Sequence, residues 1–301
     1  MIVVAGEALI DLVPQTGGDA LAPLVPARGG GPYNTAVALG RLGARVSFCS
    51  RVSTDAFGRS LMARLAEEGV GTDLVQRGPE PTTLAVAALD TAGSASYSFY
   101  VNGSADRLFA LPPQLPDEVR ALSVGTCSLV LEPGASAYEA LLRREAARGV
   151  FVALDPNIRA GLIDDPDAYR ARFRSWLPSL SLLKLSEEDA AWLGADVPGW
   201  LAAGPAAVVL TRGGEGLTVH TRGGGEWSVP AERTEVVDTI GAGDTVNAAL
   251  LHALAGRDLL APGALAAADG TQWREVLALA ARAAALTCAR AGAEPPYARE
   301  L

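Results

Sequence analysis

The sequence predicts an α/β protein, a doubly wound and mostly parallel sheet flanked by helices, with a small β-sheet attached as a lid. Two patterns predict the main sheet. Short apolar runs alternate with amphipathic helical stretches, and the strand-like runs end in glycines or polar turns. In sheets of that kind ligands sit at the carboxyl ends of the strands. A third pattern breaks the rhythm: residues 82–101 alternate with period two on both sides of Thr91-Ala92-Gly93, which reads as a β-hairpin.

Taken in order, Ile2 to Ala5 is a β-branched run ending at Gly6, the first strand. Pro32 to Leu42 is a helix with proline near its start and Gly43 as its stop. Val46 to Cys49 is a strand, and Phe57 to Glu68 repeats Leu61, Met62 and Leu65 on one helical face before Gly69. Ser136 to Arg148 reads as a helix opened by a capping box of Ser136 and Glu139. Val150 to Leu154 is a strand running into Asp155-Pro156-Asn157, and Ala207 to Thr211 is another, ending at Gly213. With no internal repeat and no low-complexity linker, residues 1–301 read as one α/β domain with lid strands from about 10–28 and 82–108.

Composition narrows the function classes. Of 301 residues, 49% are hydrophobic and 20% charged, ordinary for a chain with a substantial core. The formal net charge of −9 repels phosphate backbones, so nucleic acid is not an expected partner. A local nest of N–H groups can still bind a small anion within an acidic protein. Cys49, Cys127 and Cys288 are odd in number, far apart and set in apolar segments, which predicts buried thiols in a reducing compartment rather than disulfides or a zinc site. The N-terminus carries Glu7 and Asp11 and no basic region, unlike a signal peptide, and no apolar run approaches a membrane span. The expected location is the cytoplasm, with no membrane partner.

Several chemistries are excluded by their missing motifs. Lys184, the only lysine, follows Leu183, so there is no Walker A loop. No GxGxxG fingerprint or GxSxG elbow occurs, and His220 and His252 have no ligand spacing.

The segment Val236-Val237-Asp238-Thr239-Ile240-Gly241-Ala242-Gly243-Asp244-Thr245-Val246-Asn247 carries the strongest chemical signal. Small residues at 241–243 let backbone N–H groups crowd a ligand, and the helix expected from about 244 to 255 adds partial positive charge at its start, making an anion hole. Asp244 then stands beside the bound anion; taken alone, it also fits an N-cap. Gly29-Gly30-Gly31-Pro32-Tyr33-Asn34 opens a helix, as a close approach for a ligand or as a tight turn, and Asn34 can both donate and accept. Asp11, just past the first strand, fits either a grip on vicinal hydroxyls or a solvated loop.

Together these segments resemble the ribokinase-like (PfkB) carbohydrate kinases. Residues 238–249 resemble the family's C-terminal signature with every key position filled, and Gly29 to Ala36, followed by Leu42-Gly43, its N-terminal one. GEALIDLVP at 6–14, SFYVNGSAD at 98–106, DPNIR at 155–159, LSEED at 185–189, VVLTRGGEG at 208–216 and LTCARAGA at 286–293 follow in the family's order, so the resemblance spans nearly the whole chain. Three positions depart from the pattern: Ser53 stands in place of a glycine, and Ser186 and Asp189 in place of the Asn and Glu of a motif that tunes magnesium and phosphate response.

The resemblance implies an ATP-dependent sugar kinase. Asp244 would be the base that takes a proton from the attacking sugar hydroxyl, with Gly241, Ala242 and Gly243 completing the anion hole. A hydroxyl is far less acidic than a carboxylic acid of pKa about 3.9, so this proton transfer comes late and positioning supplies most of the catalysis. Asp11, Gly30, Gly31, Asn34, Phe99, Glu132 and Arg159 would bind the sugar, with Tyr100 beside Phe99 on the lid. Arg159 alternatively forms a strand-end salt bridge. Lys184, Ser186, Thr211, Gly213, Gly216 and Asn247 would serve the nucleotide. Glu188 and Asp189 would hold Mg2+ through water, and Asp238, with the 287–293 loop, a monovalent cation such as K+. The lid sheet would close over the cleft and could pair two subunits in a homodimer.

Within the family the motifs are most similar to bacterial fructokinases, so fructose is the expected acceptor. 2-Keto-3-deoxygluconate kinase, ribokinase and nucleoside or aminoimidazole-riboside kinase are the alternatives. An acid sugar needs a cation for its carboxylate; Val101-Asn102 offers none, which leaves Arg107 as the substitute. A catalytically silent sugar- or nucleotide-binding regulator is the alternative of another class, and the filled Asp244 position argues against it.

Overall fold

The computed structural model describes residues 1–15, 21–89 and 95–301, so the turn expected at Thr91-Ala92-Gly93 lies outside the described residues. From the N-terminus the strands are β1 (Ile2–Ala5), β2 (Leu9–Pro14), β3 (Leu24–Gly29), β4 (Val46–Ser53), β5 (Val75–Gly78), β6 (Leu84–Leu89), β7 (Ala95–Tyr100) and β8 (Ala121–Gly125). They continue as β9 (Phe151–Asp155), β10 (Leu182–Ser186), β11 (Ala207–Thr211), β12 (Leu217–Thr221) and β13 (Glu226–Val229). Helices α1 (Gly31–Arg41) and α2 (Ala56–Glu67) precede α3 (Gly134–Ala147), α4 (Pro166–Trp176), α5 (Glu187–Leu193) and α6 (Val197–Ala203). The chain then forms α7 (Ala242–Gly256), α8 (Pro262–Ala267) and α9 (Gly270–Cys288).

Nine strands make the main sheet in the order β13-β12-β11-β10-β9-β8-β1-β4-β5. All its pairings are parallel except β11–β12 and β12–β13, which add an antiparallel edge. The sheet is buried on both faces and its central strands are apolar at most positions, as suits parallel strands covered twice, with Ser123 in β8 and Lys184 in β10 as buried polar exceptions. Ile2, Val4, Phe151 and Val209 point into a core shared with Leu39 of α1, Leu61 of α2, Leu250 of α7 and Leu277 of α9. Their neighbours Val3, Ala5, Val152, Leu154 and Val208 point into a second core with Leu142 of α3, Phe173 of α4 and Trp200 of α6. Each such buried side chain contributes about 1.5–3 kcal/mol, which fixes the register.

A second, four-stranded sheet has the order β3-β2-β6-β7. β2 pairs antiparallel with β3 and parallel with β6, and β6 pairs antiparallel with β7. Its strands fall in the segments expected for the lid.

Two local expectations need correction. Helix α3 begins at Gly134, so Ser136 lies in its first turn instead of capping it. Ser136 N–H donates to Glu132 at 3.0 Å, and Glu139 pairs with Arg143 and Arg172, so no capping box forms. Strand β4 runs on to Ser53, beyond the apolar stretch that marked it, because β5 pairs with its second half.

Candidate active site

The site forms where β1, β8 and β9 end, closed on one side by the start of α7 and on the other by the small sheet. Gly241 is the N-cap of α7 with a left-handed backbone, φ 76°. A Cβ there would come within 2.6 Å of Ala293, so the turn needs glycine both for its conformation and for the C-terminal loop's close approach. Ala242 N–H returns to the Thr239 carbonyl and Thr245 N–H to that of Gly241. Among the described residues, this leaves the N–H groups of Gly243 and Asp244 as the free donors of the first turn, the group that binds anions at helix starts.

Asp244 is the third residue of α7 and is buried. Its Oδ2 accepts from Asn34 Nδ2 of α1 at 2.9 Å. Burial pushes its carboxyl up to about 7; the Asn34 hydrogen bond opposes that rise, the Asp155 charge adds to it, and Lys184 and Arg159 oppose it. A carboxylate of ordinary acidity is thereby brought near the pH at which a general base works best. Gly31 gives it room: a Cβ there would meet Thr126 at 2.8 Å and Asp244 Oδ1 at 3.2 Å.

A cleft of about 270 Å³ opens in front of Asp244. It brings together Asp11, Gly30, Gly31, Asn34, Phe99, Arg159, Gly241 and Gly243 from the sequence-predicted set. Asp11 leans over Gly29, where a side chain would fall on its carboxylate. Burial raises the Asp11 carboxyl to about 6, opposed by Arg159. The guanidinium of Arg159 is braced on Asn157 Oδ1 at 2.7 Å.

The cleft also exposes residues that the sequence reading missed. Tyr97 lines it beside Phe99, ring centroids 6.2 Å apart, while Tyr100 is 65% exposed and faces away. Period two alone places 97 with 99 and not with 100. Asn157 belongs to the quoted DPNIR run but was given no role. Glu7 is buried at the floor, accepting from Thr126 and Ser128 hydroxyls, Ser128 N–H and Gly31 N–H. Burial raises its carboxyl. Thr126 has φ 55°, rare for a β-branched residue, and its bond to Glu7 holds it there. The only sequence signal for Glu7 was its place in GEALID.

The pfkB family carbohydrate kinases match residues 1–299. The chain belongs to this family. It is 39% identical to a fructokinase from Rhizobium leguminosarum bv. trifolii, over 89% of this chain and 84% of that protein. Its structure matches that of a Xylella fastidiosa fructokinase with bound ATP, TM-score 0.88 and 30% identity, covering 97% of this chain and 93% of that one. A double-mutant fructokinase from Vibrio cholerae O395, bound to fructose, ADP and potassium, matches with TM-score 0.82 and 27% identity, over 97% and 93%.

In this carbohydrate kinase several expected residues lie outside the cleft. Glu132 faces Ser136 N–H and Arg172, held at 2.9 Å by the latter, because α3 starts early enough to turn its carboxylate outward. Arg107 donates to Asn102 and to the Glu132 carbonyl, so the cation of the cleft is Arg159 instead. Asn247 sits one turn below Asp244, buried, donating to Ser123 at 3.1 Å. Lys184 is buried beneath the anion turn, 3.2 Å from where a Gly243 Cβ would lie, and donates to Asp155 at 2.7 Å.

Ser186 caps α5, and Asp189 completes the capping box while accepting Ile158 N–H at 2.8 Å. With Asp189 committed to backbone donors and Glu188 exposed, the two form no direct metal cage. No cluster of three or more metal-binding side chains occurs among the described residues. Thr211 and Gly213 lie at the end of β11, and Gly216, φ 105°, admits the Val229 carbonyl where a side chain would sit. Asp238 accepts from Ile240 N–H at 3.0 Å and Gly292 N–H at 2.8 Å, joining the anion turn to the C-terminal loop. Cys49 and Cys127 are buried and Cys288 is half-buried, all free. No helix of the described residues is long and apolar enough to cross a membrane.

Proposed function

We propose that this kinase transfers the γ-phosphoryl group of ATP to a hydroxyl of fructose, with Asp244 as the general base. The observation that carries this reading is the placement of one buried carboxyl, raised to about 7, between the free N–H groups of the α7 start and a cleft of sugar size. The sugar hydroxyl gives its proton to Asp244 as its oxygen bonds to the γ-phosphorus, and the bond from that phosphorus to the β–γ bridging oxygen breaks to release ADP. Gly243 and Asp244 N–H groups stabilise the charge on the transferring group. Asp11, the Asn157 amide and Arg159 fix the acceptor's hydroxyls, while Tyr97 and Phe99 cover the ring and exclude water.

Charge favours a neutral sugar. The cleft sets Glu7, Asp11 and Asp244 against Arg159 as its only cation among the described residues, so a sugar acid would add a negative charge to a carboxyl-rich site. The 39% identity to a fructokinase and the fructose in the Vibrio cholerae structure select fructose among neutral acceptors. Lys184 acts from beneath the anion turn, and Thr211, Gly213 and Gly216 form the lip on which the nucleotide rests.

Magnesium would ride on the nucleotide phosphates, neutralising them and keeping most of its water, with no cluster of three or more metal-binding side chains among the described residues to strip it. The loop pair joined by Asp238 and Gly292 supports a potassium site, as the potassium in the Vibrio cholerae structure also suggests. Leu24, Val25 and Tyr100 are exposed on the small sheet, which supports pairing of two subunits through it, and the free thiols fit the cytoplasm.

The test is ADP release from Mg-ATP with fructose, ribose, 2-keto-3-deoxygluconate, adenosine and aminoimidazole riboside. Turnover highest on fructose is expected. Turnover confined to the sugar acid would overturn the neutral-acceptor reading, and silence with every sugar while ATP still binds would favour a binding protein.

A further inference from the structure

Beside the substrate cleft, and sharing Gly31, Thr126 and Asp244 with it, lies a second and much smaller cavity whose wall includes Asp155, Asn247, Ser123 and Thr35. Its volume is about 10 Å³, on a measure where one water molecule needs roughly 10–15 Å³. Two side chains of this wall each have one buried oxygen with no hydrogen-bond partner among the described residues: Asp155 Oδ1 and Asn247 Oδ1. Both residues are almost wholly buried, 5% and 3% exposed, and their other polar atoms are taken, Asp155 Oδ2 by Lys184 and Asn247 Nδ2 by Ser123. An unpaired buried acceptor costs about 1–3 kcal/mol, more when it is charged. Two of them around one water-sized space make a site for a molecule that offers two O–H donors. Turning the Asn247 amide over would present its NH2 group instead, from which a water oxygen would accept, so a water fits either orientation.

We propose that one water molecule occupies this cavity, hydrogen-bonded to Asp155 and Asn247, and that Asp155, so held, is a positioning residue that sets the basicity of Asp244. This inference rests on the reading of Asp244 as the base. Burial pushes the Asp155 carboxyl up and Lys184 at Oδ2 opposes that rise; a water that donates to Oδ1 favours the ionised, negatively charged form further. That charge opposes ionisation of Asp244 and makes it the stronger proton acceptor. The groups facing Asp244 divide by sign: Asn34 from α1, Lys184 from β10 and Arg159 beyond β9 favour the ionised form, while Asp155 at the end of β9 opposes it. Glu7 and Asp11 stand further round the same cleft.

The test measures kcat/KM for fructose between pH 5 and 9 in the wild type, Asp155→Asn and Asn247→Leu, with Asp244→Ala as control. Activity should fall on the acid side as Asp244 becomes protonated. Asp155→Asn removes the charge that raises Asp244 and leaves Lys184 uncompensated, so its acid limb should move down by about half a pH unit or more, with kcat at pH 8 several-fold lower. Asn247→Leu, which fills the cavity, should move the limb in the same direction by less. The nucleotide's own ionisation is common to all variants and cancels from the difference.

An unmoved limb in folded Asp155→Asn, with Asp244→Ala inactive, overturns the inference while leaving the base assignment intact. Wild-type turnover by Asp244→Ala would instead remove the base assignment, and the inference with it. Should Asp155→Asn fail to fold, a wild-type crystal structure at about 1.5 Å and the Asn247→Leu profile decide. A water about 2.5–3.0 Å from both oxygens and a shifted limb support the proposal; a dry cavity overturns it.

Discussion

The two walls of the cleft carry similar chemistry on different foundations. On one wall Asp244 stands on α7, whose buried face is locked into the main core and whose carboxylate is tied to Asn34 of α1. On the other wall Asp11 stands on β2 of a four-stranded sheet that is half exposed, between Arg159 and the Tyr97–Phe99 pair. Both carboxyls are raised by burial, to about 7 and about 6. The difference is in what each can do while the reaction proceeds. A rigid wall suits bond making, where small misplacements of the base are costly, whereas a sheet with one exposed face suits binding and release. Substitutions on the first wall should therefore lower kcat, and substitutions on the second should raise KM.

Replacing Asp244 by Ala should lower kcat by roughly 10²–10⁴-fold with little change in the KM for fructose, by steady-state ADP release. Gly241→Ala should follow, since its Cβ collides with Ala293 and misaligns the Gly243 and Asp244 donors. A loss of roughly 10²-fold in kcat is expected, near that of removing one oxyanion donor. On the other wall, Asp11→Ala should raise the KM for fructose by about tenfold or more with kcat within a few-fold, as expected for a lost charged hydrogen bond of about 1.5–3 kcal/mol. Tyr97→Ala should raise KM by a few-fold and Tyr100→Ala should leave it unchanged, because only the first ring lines the cleft. A kcat loss in Asp11→Ala as large as that in Asp244→Ala would break the contrast between the walls.

The smallest effect sharpens it on the stability side. The Asp244 carboxyl in the folded protein lies above its ordinary value of 3.8, at about 7. Between those limits the folded chain binds more protons than the unfolded one, so this group's ionisation costs stability as pH rises from about 4 through 7. Asp244→Asn should therefore melt a few degrees higher at pH 8, with the gain shrinking towards pH 4. A lower melting temperature at pH 8 would mean that the Asn34 bond outweighs the burial cost.

Much of the fold was legible because its rules are local. The β-branched run of Ile2 to Ala5 before Gly6 marked the first strand, and period two over residues 82–101 marked the small sheet. The capping box at Ser136 failed because Glu132, four residues upstream, took the N–H that the box needed elsewhere. At the site, Asp244, Asn34, Asp11 and Arg159 could be found because glycine-rich turns and strand ends flag them. Glu7 and Asp155 could not, since each is defined by partners over a hundred residues away or on another strand: Thr126 and Ser128 for Glu7, Lys184 for Asp155. Glu132 was misplaced for the opposite reason, its position in the chain being right and its side chain turned away from the cleft.

The central claim is that a buried Asp244 takes the acceptor's proton. Its most direct test is ADP release with fructose and Mg-ATP from pH 5 to 9, comparing the wild type with Asp244→Ala. The wild type should lose kcat/KM below about pH 7 with the slope of one proton, and the variant should be slow at every pH without that limb. A variant that keeps the wild-type rate, or the same acid limb, would contradict the assignment of Asp244 as the base.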